Sequence, residues 1–231
     1  MSKKKNKHTN QTQNHFSLRM IRPLTPNQEE TFKSFADGKH LLLHGVAGTG
    51  KTFISLYLAL DQILNKQKYH KTLIIRSAVA SREVGYLPGN LKEKTKVYEE
   101  PYKTICDDLF ARGDGYEILK TKHLVDFTTT SYLRGLTWDN TIIIVDEIQN
   151  LSLHEIDSIM TRIGENCKVI LCGDFRQSDL RGYNAKKNLL TFGSIVDKMS
   201  CFTKIEFEIQ DIVRSSFVKS YIKSKMESGF V

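Results

Sequence analysis

Long apolar runs are missing from these 231 residues. No stretch approaches the ~20 consecutive apolar positions of a membrane-spanning helix, so no membrane partner is expected. The lysine-rich start has no hydrophobic segment behind it, which argues against a secretory signal. Cysteine is scarce. Cys106, Cys167, Cys172 and Cys201 form no C-x-x-C pair and have no paired histidines nearby. They are read as reduced thiols, core or incidental, of a cytoplasmic protein rather than as a disulfide framework or a metal cluster. Internal repeats and long Gly/Pro/Ser linkers are also lacking, which leaves one substantial domain, at most with a small extension.

What is present is the composition of an ordinary globular chain, 40% hydrophobic and 26% charged. Positive charge is in excess, with 34 Lys and Arg against 26 Asp and Glu for a net +8. That balance favours a polyanionic partner. Part of it lies in Lys3, Lys4, Lys5 and Lys7, within a polar stretch that has almost no apolar periodicity up to about residue 22. Residues 1–22 are therefore expected to be a disordered tail, either simply solvated or an electrostatic arm for nucleic acid, and 23–231 the folded domain.

The strongest local signal is at residues 40–52. Leu41, Leu42 and Leu43 suit a buried parallel strand, and Gly45-x-x-x-x-Gly50-Lys51-Thr52 follows, running into the helical pattern from Phe53 to Leu60. Strand, glycine loop and helix stand in the order a phosphate-binding loop needs. The residues Gly45, Val46, Ala47, Gly48, Thr49 and Gly50 can curl so that successive N–H groups face phosphate oxygens. The helix start adds unpaired N–H groups and a positive dipole end. Lys51 offers a point charge to the terminal phosphates, and the Thr52 hydroxyl a ligand for Mg²⁺. A match to this pattern arises by chance in roughly 1% of chains this long, given ordinary glycine usage. A bound nucleotide phosphate is the expectation.

Upstream, Thr25 as N-cap and Pro26 as first helical residue predict a helix to about Ala36, stopped by Asp37-Gly38. Gln28 on it is either an exposed helix glutamine or a carboxamide suited to the edge of adenine. Downstream, buried strands are expected at 71–76, 123–128, 141–145 and 167–172, with an edge strand at 204–209. Residues 97–122 read as mixed helix and loop, and 216–227 as a terminal helix. Lys92, Lys94, Lys96 and Lys103 alternate with Tyr98 and Tyr102. That pattern fits a single-stranded nucleic-acid grip and equally a solvated helix face bearing Glu93, Glu99 and Glu100.

The second strong signal is Thr141 to Glu147, an apolar strand that delivers two adjacent carboxylates at its carboxyl end. Asp146 is suited to hold Mg²⁺ near the phosphates, and Glu147 to polarise the attacking water. A further strand ends in Gly173-Asp174-Phe175-Arg176-Gln177, which puts Asp174 and Gln177 beside the same phosphates if it neighbours the loop strand.

Together these blocks resemble the first motor domain of superfamily 1 helicases, and most closely the PhoH-like family of P-loop ATPases. The resemblance rests on Thr25 to Gln28, Gly45 to Thr52, Ser81 to Gly89, Thr141 to Gln149, Gly173 to Gln177 and Asp211 to Ser215. It implies a single-domain α/β fold of the RecA-like P-loop NTPase kind, a parallel sheet with helices on both faces. It implies Gln28 as adenine reader, Lys51 and Thr52 as phosphate and Mg²⁺ ligands, and Asp146 with Glu147 as metal holder and base. Gln177 is similar to the family's γ-phosphate sensor, and Arg214 to the arginine that touches the γ-phosphate.

The expected activity is Mg-dependent ATP hydrolysis coupled to RNA or single-stranded DNA. A small P-loop kinase and a nucleotide-dependent scaffold with little turnover are the alternatives. The chain stops shortly after Arg214, without a second motor domain. Movement along nucleic acid would therefore need a homo-oligomer, such as a hexameric ring, with Arg214 serving its own or a neighbour's nucleotide.

Overall fold

The computed structural model describes residues 16–77, 91–133, 135, 137–175 and 183–229, with side chains from 91–95 and 183–188 excepted. Helix α1 (Pro26–Ala36) leads into β1 (His40–Gly45), α2 (Lys51–Leu64) and β2 (Lys71–Arg76). Then come α3 (Leu91–Phe110), α4 (Gly115–Thr121), β3 (Val125–Thr129) and β4 (Thr141–Asp146). The chain continues through α5 (Leu153–Met160), β5 (Lys168–Gly173), α6 (Tyr183–Val196), β6 (Phe202–Phe207) and α7 (Ser216–Glu227).

The strands form one parallel six-stranded sheet in the order β3-β2-β4-β5-β1-β6. A parallel sheet is covered on both faces, so its strands must be apolar at nearly every position. Side chains alternate between faces, and β4 divides accordingly. Ile142 and Ile144 join a core with Leu41, Leu43, Ile54, Leu60, Tyr102 and Leu109. Ile143 and Val145 join a second core with Leu42, Ile75, Leu171, Ile156 and Phe192. The first core is roofed by α1 to α4, the second by α5 and α6. The expected α/β fold with helices on both faces is the observed one. Strand β6 is the expected edge, paired only with β1 among the described strands.

The mixed helix and loop expected over 97–122 is met by the end of α3, a turn and α4. Helix α3 runs on through Pro101. Its buried face Tyr102, Cys106, Leu109 and Phe110 has the i, i+4, i+7, i+8 spacing that packs onto the first core, and this outweighs the lost backbone hydrogen bond. Residues 16–22, expected as the end of a tail, lie against the domain. Phe16 stacks on Phe110 with ring centroids 4.1 Å apart, Arg19 N donates to Leu109 O at 3.0 Å, and Leu18 and Ile21 pack on the same core. The rest of the expected tail lies outside the described residues, and α6 is an element with no counterpart in the sequence reading.

Parallel order brings the carboxyl ends of β4, β5 and β1 side by side, which is where α/β folds bind ligands. The β1–β6 contact is especially close. A Cβ on Gly45, whose φ is +112°, would lie 2.1 Å from Phe207 O, the carbonyl that accepts from Val46 N at 2.9 Å. Neither partner can retreat without breaking the pairing. Gly45→Ala is expected to cost at least about 2 kcal/mol, seen as a melting temperature lower by roughly 4–8 °C.

Helix α5 begins with a capping box, Ser152 accepting from Glu155 N while Glu155 accepts from Ser152 N at 2.8 Å. Thr130 Oγ1 donates to the other Glu155 oxygen at 2.6 Å, tying the turn after β3 to α5. Burial pushes the Glu155 carboxyl up, but the hydrogen bonds from Thr130 and Ser152 outweigh it and hold the pKa below its ordinary value. A depressed carboxyl pKa adds stability above the unfolded value, about 4.3, and loses it as pH falls through the folded one. Glu155→Gln should therefore melt with a weaker pH dependence in acid than wild type, measured as melting temperature between about pH 7 and pH 3.

Candidate active site

The loop from Gly45 to Gly50 is shaped by backbone angles that favour glycine. Gly48 and Gly50 have φ of +78° and +84°, and Gly50 precedes the first turn of α2 in a left-handed conformation. Thr49 Oγ1 donates to Val46 O at 3.0 Å and closes the loop on itself. Lys51 Nζ reaches back over it to Gly45 O at 2.9 Å and Val46 O at 2.7 Å. Burial lowers the Lys51 pKa, while Cys172, Asp174, Asp146 and Glu147 nearby act to raise it. A partly buried ammonium among acids is a cation ready for an anionic ligand.

Asp146 ends β4 with its side chain buried. Thr52 Oγ1 donates to Asp146 Oδ1 at 3.0 Å across 94 residues of sequence. Tyr102 donates its hydroxyl to Oδ2 at 2.9 Å. Burial and the adjacent Glu147 raise the Asp146 pKa, offset by the Tyr102 and Thr52 hydrogen bonds and by Arg76. A buried carboxylate beside a hydroxyl and a second carboxylate is a set of hard oxygen donors that fits a small divalent cation. Mg²⁺ takes one or two carboxylates and completes its shell with water and substrate phosphates. The residues present therefore fit the expected Mg²⁺.

Glu147 follows at φ +53°, a left-handed conformation uncommon outside glycine and asparagine. Such strain costs on the order of 1 kcal/mol and gathers at functional sites. Here it turns the Glu147 side chain out of the strand line to where Gln149 Nε2 donates to Glu147 Oε2. The other end of Gln149 accepts from Asp174 N at 3.0 Å, linking the end of β4 to the end of β5. Gly173 makes room for this, since a Cβ there would lie 2.6 Å from Gln149 Oε1.

These groups line a cleft of about 660 Å³. Its floor is the loop with Lys51 and Thr52, and one side carries Asp146, Glu147, Gln149 and Asp174. Pro101, Thr104, Ile105 and Asp108 of α3 also line the cleft, with Arg76 from the end of β2. Arg214 lies at the rim of its own chain's loop. A Cβ on Gly48 would meet Arg214 Cγ at 3.2 Å, and Val213 N donates to Gly48 O at 3.1 Å.

The expected residues thus separate. The loop, Lys51, Thr52, Asp146, Glu147 and Arg214 come together around one cleft. Gln177 and Ser81 to Gly89 lie outside the described residues. Gln28 is 3% exposed and not among the cleft-lining residues. Its Oε1 accepts from Leu24 N at 2.8 Å and its Nε2 donates to Thr49 O at 3.0 Å. That placement makes it a brace for the loop, with both ends of its carboxamide engaged inside the chain, and it is not the exposed helix glutamine of the first alternative. Tyr102 is also revised. With no exposed surface it cannot stack on a nucleic-acid base, and it faces Asp146 instead. Tyr98 has the Arg76 guanidinium over its ring at 5.8 Å, and Lys103 pairs with Glu117 at 3.8 Å.

The roles of three site residues escaped the sequence reading. Tyr102 carried a signal, its i, i+4 spacing with buried Cys106, which marks a core face. Arg76 was visible only as a charge closing a buried strand. Gln149 stood two residues after the acid pair with no local clue to its partners.

A family model described as PhoH-like protein matches residues 20–225. The PhoH-like protein of Bacillus subtilis is 31% identical over 205 residues, covering 88% of this chain and 63% of its own length. Protein PhoH of Escherichia coli is 34% identical over 138 residues, or 59% of this chain and 39% of that one. The chain spans less than two thirds of the length of each. Among solved structures, the large terminase of a thermophilic bacteriophage, in complex with ADP, aligns with 87% of this chain and 50% of its own, at 11% identity and a TM-score of 0.48.

Proposed function

The chain belongs to the PhoH-like protein family, and from that premise we propose that it is a Mg²⁺-dependent ATPase whose turnover is coupled to RNA or single-stranded DNA. The observation that carries the proposal is the Thr52–Asp146 hydrogen bond beneath the glycine loop, with Glu147 next in sequence and open to the same cleft. It brings the glycine loop and two adjacent acids to one cleft, which supports reading them as phosphate cradle, metal holder and base.

In this reading the loop N–H groups and Lys51 hold the phosphates, and Thr52 and Asp146 would hold Mg²⁺. The ion, when bound, neutralises phosphate charge. Glu147, steadied by Gln149, orients a water whose oxygen attacks the γ-phosphorus. The bond from that phosphorus to the ADP oxygen breaks, and the water's proton passes to Glu147. Lys51 and Arg214 stabilise the charge that develops on the γ-phosphoryl oxygens. Arg214 acts within its own chain, in keeping with its position against Gly48. Two adjacent carboxylates in the cleft favour water over a phosphate-accepting hydroxyl, which sets the kinase alternative aside. The net charge of +8 supports a polyanionic partner.

Steady-state ATP hydrolysis, measured alone and with single-stranded RNA or DNA, tests both halves. Stimulation by one polymer is expected, falling steeply with salt. Glu147→Gln should lower kcat by about 10²-fold or more while ATP still binds, and Lys51→Ala should abolish tight binding. Turnover retained by Glu147→Gln overturns the assignment of the base. Basal turnover that neither polymer changes at low salt overturns the coupling.

A further inference from the structure

Tyr102 is fully buried in the first core, and its hydroxyl is spent on one acceptor. The ring packs beside Phe127 at 5.7 Å and the hydroxyl donates to Asp146 Oδ2 at 2.9 Å, away from bulk solvent. Asp146 then has one donor on each oxygen, Thr52 on Oδ1 and Tyr102 on Oδ2. The carboxylate torsion is soft and nearly two-fold, so one hydrogen bond leaves the group free to swing and two from opposite sides fix its plane. Each oxygen keeps a further lone pair for a cation or its bound water.

We propose that Tyr102 is a positioning residue, the buried hydroxyl by which helix α3 orients Asp146 toward the metal ion of a bound metal–nucleotide complex. The inference rests on the proposed nucleotide site and adds α3 to it. The same helix walls the cleft through Pro101, Thr104 and Ile105. Displacement of α3 along its axis would therefore change the cleft wall and the carboxylate together. Outer partners of metal ligands carry a large share of metal affinity, and losing one typically weakens binding about 10–100-fold.

Tyr102→Phe keeps the ring and removes the hydroxyl. Binding of Mn²⁺ to the protein–ADP complex, followed by electron paramagnetic resonance, reads the metal without turnover. The expected result is Mn²⁺ affinity weakened by about tenfold, with metal-free ADP binding unchanged. Equal Mn²⁺ affinity in variant and wild type overturns the proposal. So does equal loss of ADP binding with and without metal, which would make Tyr102 a support of the loop alone. If wild type itself binds no ADP, the nucleotide-site reading fails first and is seen to do so. Should the phenylalanine variant not fold, 3-fluorotyrosine at position 102 keeps the shape and strengthens the donor. A changed Mn²⁺ affinity supports the role, and an unchanged one overturns it.

Discussion

A carboxylate at the end of an apolar strand is tolerated only if its oxygens are satisfied, because an unpaired buried charge costs several kcal/mol. Asp146 meets that demand with two hydroxyls from distant parts of the chain, Thr52 at the start of α2 and Tyr102 within α3. Much of the architecture serves this meeting. Strand β4 must sit beside β5 and close to β1 for Thr52 to reach, and α3 must lie across the same face for Tyr102 to reach. Two buried cores with strict alternation along β4 hold the strand in that register, since a slip of one residue would exchange its two faces.

The opposite side of the loop is governed by a different set of contacts. Gln28 binds Thr49 O, Asn27 Nδ2 donates to Asp211 Oδ2 at 2.7 Å, and Val213 N donates to Gly48 O. Helix α1, the loop and the turn after β6 thereby form one hydrogen-bonded unit. Its effect is to place Arg214 against the loop without any direct bond from the guanidinium being needed. Lys51 completes the frame from within, its Nζ 5.9 Å from the centre of the Phe207 ring at the end of β6.

What could be read from the sequence was whatever depends on neighbours along the chain. The glycine loop, the apolar strand ending in Asp146 and Glu147, and the Thr25–Pro26 helix start are each set by a few consecutive residues. The buried strands followed from their nearly unbroken apolar runs, and the parallel α/β class was what the resemblance of the motifs implied. The pairings that span the chain were not legible. Tyr102 looked like half of a basic–aromatic surface because its acceptor lies 44 residues away. Gln28 looked like a free carboxamide because Thr49 O is brought to it only by folding. Phe16 sat in a polar tail with no periodicity to betray its stacking on Phe110.

The place of β1 in the sheet has a consequence for synthesis. The strand that carries the loop is made early, yet its two neighbours are β5 and β6, so Leu41 pairs with Ile170 on one side and Thr203 on the other. A chain emerging from the ribosome holds the whole loop sequence long before it can close either ladder. Such non-local pairing slows folding, because the closure entropy of a long segment must be met before the contacts reward it. The loop's full set of backbone contacts therefore needs the residues up to Phe207. A chain made only as far as β5 still lacks the Phe207 carbonyl that accepts from Val46 N at the start of the loop.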